Sequence, residues 1–328
     1  MAAMEPVRWG MLGAAGIAGS SFLPALAEAG DGEAVVVGAR DPERAARWAA
    51  SFGVARSVQG YRAVVDDPSV EAIYVALPNA LHAEWTIAAL EAGKTVLCEK
   101  PLCGTVEETE RVLATARTSG GYLWEAFVFP FHEQMRRVRS VIAEGSIGDL
   151  REVWSRFHFV LDDPGDIRMS AELAGGACQD VGCYPIRLAR LVFDAQPDLH
   201  RVAADAVSEQ GVDVELWGIL PFAGDRRLQF SCGFRSGYDT FTRVIGTEGE
   251  IRITNPFHPE RADTLEVIRD GRVVSPEPAV PSGERSLTSA IRHIDRVLRG
   301  EERPRHLAVD DALGNARAID ALLAAARR

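Results

Sequence analysis

The chain has 328 residues and a formal net charge of −11, with 47% hydrophobic and 25% charged residues. That length exceeds the roughly 250 residues at which a single core stops growing, so two domains are expected, and the composition excludes a disordered or fibrous chain. An acidic balance with no Lys/Arg stripe argues against a nucleic-acid partner, because phosphate backbones need a concentrated basic surface.

Val7 to Gly13, Ala34 to Ala39, Val70 to Leu77 and Thr95 to Cys98 read as buried strands. Helical spacing runs between and after them at Phe22 to Ala29, Pro42 to Phe52, Ala83 to Ala92 and Val106 to Thr118, each ending near a glycine (Gly30, Gly53, Gly93, Gly120). Such alternation announces βαβ units and a doubly wound parallel sheet, an α/β domain spanning residues 1–124. Tyr122 to Val128 reads as one more strand, His132 to Ile142 as a helix and Arg151 to Leu161 as a strand.

Further extended segments follow at Glu215 to Leu220, Arg227 to Phe234, Thr240 to Ile245 and Leu265 to Ile268, separated by turn signals such as Asp270-Gly271-Arg272. They predict an α+β domain over 125–328 with a large open, mainly antiparallel sheet. The proline-rich Ser275 to Gly283 reads as a connector before helices at Leu287 to Leu298 and Val309 to Ala326.

Cys98, Cys103, Cys178, Cys183 and Cys232 are odd in number and lack a C-x-x-C pairing, which suits reduced thiols better than a disulfide framework or a structural zinc. No cluster has metal spacing, so no metal is expected. Met1 to Glu5 shows no basic-then-apolar leader and no apolar run approaches the roughly 20 residues of a span. A cytoplasmic location without a membrane partner is therefore expected.

Gly10 to Ala18 (G-M-L-G-A-A-G-I-A) joins the first strand to the first helix, where a dinucleotide fold places its phosphate turn. The places of G-x-G-x-x-G/A fall on Gly13, Ala15 and Ala18, with Gly16 and Ile17 between them. Alanine at the second place departs from the pattern, since its methyl group sits where backbone should approach phosphate, and Gly16 beside it restores some freedom. The second strand ends in Gly38-Ala39-Arg40-Asp41 instead of an acid for the ribose 2′-hydroxyl. Arg40 offers a cationic fork suited to a 2′-phosphate, which favours NADP(H) over NAD(H). Asp41 is open to two other readings, as a ribose ligand or as the N-cap of the helix opening at Pro42.

Cys98-Glu99-Lys100-Pro101 closes a strand, so Lys100 emerges at the carboxyl edge of the sheet, where open α/β folds bind ligands. A solvated surface turn has the same look. In Gly175 to Pro185 (G-G-A-C-Q-D-V-G-C-Y-P), a helix would carry Asp180 and Tyr184 on one face, four residues apart. A half-buried core tyrosine with a first-turn acid is the competing reading.

Together with Leu77 to Glu84 (L-P-N-A-L-H-A-E), these segments resemble the Gfo/Idh/MocA oxidoreductases over nearly the whole chain, and within them the branch whose helix carries D-x-G-x-Y. That resemblance implies that Lys100 and Tyr184 are catalytic, with Asp180 in the same polar cluster. It also implies that Leu77, Asn79, His82 and Glu99 line the nicotinamide-ribose side and that Lys100-Pro101 is cis.

The expected reaction is hydride transfer between nicotinamide and a sugar-like or cyclic alcohol, with Tyr184 as acid/base assisted by Lys100. Trp124, Phe127, Phe131, His132, Phe157 and Arg168 are the substrate-facing candidates. His132-Glu133 also reads as a surface pair, and Arg168 as an ion-pair partner of Asp162, Asp163 or Asp166. A nucleotide-linked keto-sugar reductase and an inositol-type dehydrogenase are alternatives within the same fold. A non-catalytic NADP-binding sensor is the alternative of another class. The open sheet is expected to be covered in a homodimer or homotetramer.

Overall fold

The computed structural model describes residues 5–259, 262–278 and 282–328. Residues 1–4, 260–261 and 279–281, the last in the proline-rich connector, lie outside the described residues. The chain forms two compact units, one running to Phe127 and taking in Leu287–Leu313, the other comprising Val128–Ser286 and Gly314–Arg328.

The first unit is built on a six-stranded parallel sheet in the order β3-β2-β1-β4-β5-β6. Its strands are β1 (Val7–Leu12), β2 (Gly32–Ala39), β3 (Arg56–Gln59), β4 (Ala72–Val75), β5 (Thr95–Cys98) and β6 (Leu123–Glu125). The strand order reverses between β1 and β4, and loops leaving the carboxyl ends of these two strands form the usual crevice of such a sheet. β3 is an edge strand of sequence R-S-V-Q with exposed ends, so no apolar run marks it. The core is aliphatic around Val36, Ile73, Val75, Val96 and Val112. Beside it, Phe22 stacks on Tyr74 with ring centroids 4.2 Å apart and Trp9 meets Phe22 edge-on at 5.3 Å.

The expected second domain ran unbroken from 125 to the end, whereas residues 287–313 pack with the first unit. Side-chain hydrogen bonds account for this: Trp9 Nε1 donates to Asp295 Oδ1 at 2.8 Å, Trp124 Nε1 to the Arg305 carbonyl at 2.8 Å, and Thr288 Oγ1 to Glu28 at 2.8 Å.

Asp295 is fully buried and its second oxygen has no hydrogen-bond partner. Burial pushes its carboxyl up to about 7. The folded protein thus retains a proton that the unfolded chain has lost, and stability falls as pH rises from about 4 to about 7, with the cost complete above that. Asp295→Asn should flatten this slope and raise the thermal midpoint at pH 8, by an energy on the order of 2 kcal/mol. An unchanged slope in thermal melts between pH 4 and 8 would overturn the assignment.

The second unit carries an eight-stranded sheet in the order β14-β13-β12-β11-β7-β10-β9-β8. The strands are β7 (Leu150–Val160), β8 (Ala203–Glu209), β9 (Val212–Phe222), β10 (Arg226–Gly233), β11 (Arg235–Gly246), β12 (Glu250–Ile253), β13 (Thr264–Arg269) and β14 (Arg272–Pro278). All neighbours are antiparallel except β7 and β10, joined by a long crossover that contains the helix Cys183–Phe193. β14 corrects the connector reading up to Pro278, since edge strands tolerate prolines that central strands do not. One face of the sheet is dry, with Val153, Phe157, Leu228, Phe230, Leu216 and Val244 buried on it.

Candidate functional site

The turn after β1 is shaped by Gly13, whose φ of +103° is a conformation side chains rarely adopt. A Cβ there would lie 2.5 Å from the Ala76 carbonyl oxygen, so the turn closes tightly on the β4 loop. Gly16, by contrast, is exposed with nothing within 4 Å of where its Cβ would be, leaving open space over the start of the helix. That helix opens with a wide turn (Ala18–Phe22) before Leu23–Ala29, Ala18 is buried, and Ile17 is exposed. Ala15 keeps its carbonyl engaged by Trp48 Nε1 at 3.0 Å, which fixes the loop from behind. The open rim and the helix start fit a dinucleotide pyrophosphate.

At the end of β2, the Asp41 carboxylate accepts from the backbone amides of Glu43 (2.9 Å) and Arg44 (3.2 Å). Asp41 is therefore the N-cap, one of the two readings left open above. Arg40 is exposed and makes no ion pair among the described residues. Arg44, which sequence reasoning overlooked, reaches the Ala14 carbonyl at 3.1 Å and brings a second guanidinium to the glycine loop.

The Glu99-Lys100-Pro101 turn leaves β5 with a cis Lys100-Pro101 bond. Glu99 accepts from the Tyr74 hydroxyl and from the Lys100 amide. Glu125, at the end of β6, accepts from the Leu102 amide at 2.7 Å, a brace that sequence reasoning also missed. His82 is fully buried, with Nδ1 2.9 Å from the Pro101 carbonyl and Nε2 2.8 Å from the Leu77 carbonyl. Burial pushes its pKa down and the two carbonyls act against that. The imidazole is occupied on both edges, so His82 acts by tying the Leu77 segment to the lysine turn. Leu77 is itself buried, and Asn79 opens the short turn Asn79–Leu81.

In the second unit, Gly175-Gly176 leads into the helical segment that carries Asp180 and Tyr184, a wide turn (Cys178–Gly182) continuing as Cys183–Phe193. Gly176 has φ +113°, and a Cβ there would lie 2.3 Å from Asp213 Oδ1. Asp213, on β9, accepts from the Cys178 amide at 2.6 Å, capping the helix from another strand. Burial raises its carboxyl to about 6.

Tyr184 is 5% exposed, with its ring among Phe157 (5.5 Å), Phe257 (5.1 Å) and Phe129 (6.4 Å). Its hydroxyl lies 3.4 Å from Nε2 of His258, a residue sequence reasoning did not single out. Arg168 donates from Nε to Asp180 at 2.8 Å and from Nη1 to Asp166 at 3.2 Å. The local ion pair expected for Arg168 is thus formed with Asp166, and it extends to Asp180.

Two of the substrate-facing candidates are core or capping residues. Trp124 is fully buried in the first unit and its indole N–H is taken by the Arg305 carbonyl. His132 is 1% exposed, which corrects the surface-pair reading. Its Nδ1 accepts from the Gln134 amide as a helix N-cap, so Nε2 carries the proton and donates to the Glu284 carbonyl. Phe127 and Phe131 are buried, and Phe157 forms part of the Tyr184 wall. All five cysteines are free and buried. Among the described residues no group of side chains could hold a metal ion, and no helix is long and apolar enough to cross a membrane.

A doubly wound sheet with a glycine turn at its switch point, followed by a large mixed sheet, is the architecture of a two-part dinucleotide-binding protein. The chain belongs to the Gfo/Idh/MocA family: the oxidoreductase-family model with an NAD-binding Rossmann fold matches residues 7–127, and the family's C-terminal domain model matches 135–252. It is thus an NAD(P)-dependent oxidoreductase. Among its relatives, the dTDP-3,4-didehydro-2,6-dideoxy-α-D-glucose 3-reductase of Actinomadura kijaniata is 35% identical over 98% of this chain and 96% of its own. D-Xylose 1-dehydrogenase (NADP(+)) 2 of Haloferax volcanii is 36% identical over 81% of this chain and 82% of its own. A solved 3-ketoreductase from A. kijaniata, in complex with NADP and TDP-benzene, superimposes with a TM-score of 0.89 at 32% identity, covering 98% of both chains. That ketoreductase has also been solved with one tyrosine replaced by phenylalanine and with one lysine replaced by alanine or glutamate. The two replaced positions stand as far apart along that chain as Lys100 and Tyr184 do along this one.

Proposed function

We propose that this protein interconverts an alcohol and a ketone or aldehyde on a sugar-like or cyclic substrate with NADP(H), using Tyr184 as acid/base and Lys100 as its assisting cation. The reading rests above all on the Tyr184 hydroxyl, a polar tip on a ring walled by Phe129, Phe157 and Phe257. The matching lysine-to-tyrosine separation in the ketoreductase supports it. When bound, the nicotinamide supplies or accepts the hydride. The first unit holds the dinucleotide through Gly13, Ala15, Gly16, Ile17, Ala18 and Arg40, with Leu77, Asn79, His82 and Glu99 at the nicotinamide end. Tyr184 gives its proton to the substrate oxygen in reduction and takes it back in oxidation. A phenol ordinarily titrates near about 10, and a cation at Lys100 lowers that by favouring the phenolate. Asp180, paired with Arg168, orders the helix around Tyr184, and Phe157 contributes to the apolar wall.

Reduction of a nucleotide-linked keto-sugar is the second reading, favoured by the match along almost the full length of such a reductase. A screen following absorbance at 340 nm, with NADP(H) and NAD(H) against aldoses, deoxy-keto-sugars and cyclic diols, separates the two. Cofactor binding without turnover of any of them would favour a sensor and overturn both.

The outer face of the large sheet is proposed to carry a homodimer or homotetramer contact. Register places Trp154, Gln229 and Ile219 side by side across three strands, with Arg156, Ser231 and Trp217 in the next row. Trp154, Trp217 and Ile219 are 41–45% exposed there. Sedimentation as a 35.6 kDa species would refute this contact.

A further inference from the structure

We propose that His258 is the proton relay of Tyr184, a role that rests on the reading of Tyr184 as acid/base. The segment Asn255 to His258 is built to hold this imidazole in place. Asn255 Oδ1 accepts from the His258 amide (3.1 Å) and from Thr240 Oγ1 (3.1 Å), while Asn255 Nδ2 donates to the His258 carbonyl (2.6 Å). The Asn255 carbonyl is in turn held by Gln134 Nε2 at 3.0 Å. Phe257 anchors the turn by stacking on Phe157, with centroids 5.6 Å apart and planes 9° apart, and by packing on Tyr184. The imidazole then lies edge-on to the Tyr184 ring at 5.4 Å, with Nε2 3.4 Å from the hydroxyl. Hydrogen bonds of this kind are commonly long before substrate arrives. Phe129, Phe157 and Phe257 wall the Tyr184 ring, whereas the His258 side chain is exposed to solvent.

In reduction, the substrate carbon takes a hydride from the reduced nicotinamide and its oxygen takes the phenolic proton, leaving Tyr184 as phenolate and the cofactor oxidised. The Nε2 proton of His258 passes to the phenolate as Nδ1 takes one from solvent. Oxidation runs the same transfers backwards. Imidazole suits this exchange because it gains and loses a proton between about pH 5 and 8. The Tyr184 hydroxyl faces the imidazole, and Tyr238 of β11 stands one ring further out, on Phe157 at 6.3 Å.

The first test is histidine-selective ¹⁵N NMR of the full chain between pH 5 and 9, the His258 signal being identified by its loss in His258→Gln. In Tyr184→Phe its titration midpoint should move by about half a pH unit or more, because a hydrogen-bonded partner has gone. An unmoved midpoint overturns the relay. The second test is kinetic, with NADP+ and D-xylose or whichever alcohol in the screen turns over fastest. His258→Gln should lower kcat about tenfold and abolish the limb of its pH profile between pH 5 and 8, with the KM for NADP+ unchanged. A wild-type kcat, or a lower kcat with the wild-type profile, also overturns it. Full activity in Tyr184→Phe would end the reading of Tyr184 itself, whereas an inactive Tyr184→Phe beside an unaltered His258→Gln ends the relay alone.

Discussion

Tyr184→Phe should lower kcat by about 10²–10⁴-fold, the usual contribution of a positioned general acid or base, while leaving the KM for NADP(H) close to that of the wild type. The substitution removes one oxygen from a ring whose contacts with Phe129, Phe157 and Phe257 are all apolar, so the packing survives and the thermal midpoint should barely move. A loss of rate can then be assigned to chemistry. Lys100→Met should produce a loss of the same order, because a phenol that ordinarily titrates near about 10 needs a cation to act near neutrality. If the two residues form one proton-handling unit, the double variant should be scarcely slower than either single one, since groups acting together are not additive. Independent, multiplying losses would separate Lys100 from Tyr184. Full activity in Tyr184→Phe would remove that residue from the mechanism. The measurement is steady-state kcat and KM at several pH values, with thermal melts run beside them.

The sequence announced the first sheet because its buried strands are short, mostly apolar runs, as at Val7–Leu12 and Ala72–Val75, alternating with helical patterns that end near glycines. It announced the lysine turn and the tyrosine helix because both are contiguous motifs. β3 and β8 escaped because edge strands carry polar residues, and β12 because four residues carry little periodicity. The side chains that sequence reasoning missed, Arg44, Glu125, Asp213 and His258, are defined by their hydrogen-bond partners. Asp213 lies 35 residues from the amide it caps, and His258 lies 74 from Tyr184. No spacing rule reaches that far. Trp124 and His132 erred the other way: an aromatic or a histidine near a domain junction has the composition of a binding site, and only burial together with the acceptors at Arg305 and Glu284 marks them as structural.

Cofactor choice is the other place where one or two side chains should have a large effect. Arg40 stands at the carboxyl end of β2, exposed and without an ion pair among the described residues, while Asp41 beside it has its carboxylate committed to two helix amides. An NAD enzyme places an acid at this strand end to accept from the ribose 2′-hydroxyl. A capping aspartate already accepting two N–H groups is poorly placed for that, and the neighbouring guanidinium attracts a 2′-phosphate instead. Arg40→Ala should therefore raise the KM for NADP(H) by about 10- to 100-fold and leave that for NAD(H) nearly unchanged. Arg44 reaches the Ala14 carbonyl through Nη2, so part of its guanidinium stabilises the glycine loop. Arg44→Ala should therefore weaken both cofactors, with the larger loss for NADP(H). The Arg40→Ala/Arg44→Ala protein should show little remaining discrimination. Fluorescence titration of both reduced cofactors against the three variants checks this without any substrate. An undiminished preference for NADPH in the double variant would place the 2′-phosphate contact elsewhere in the first unit.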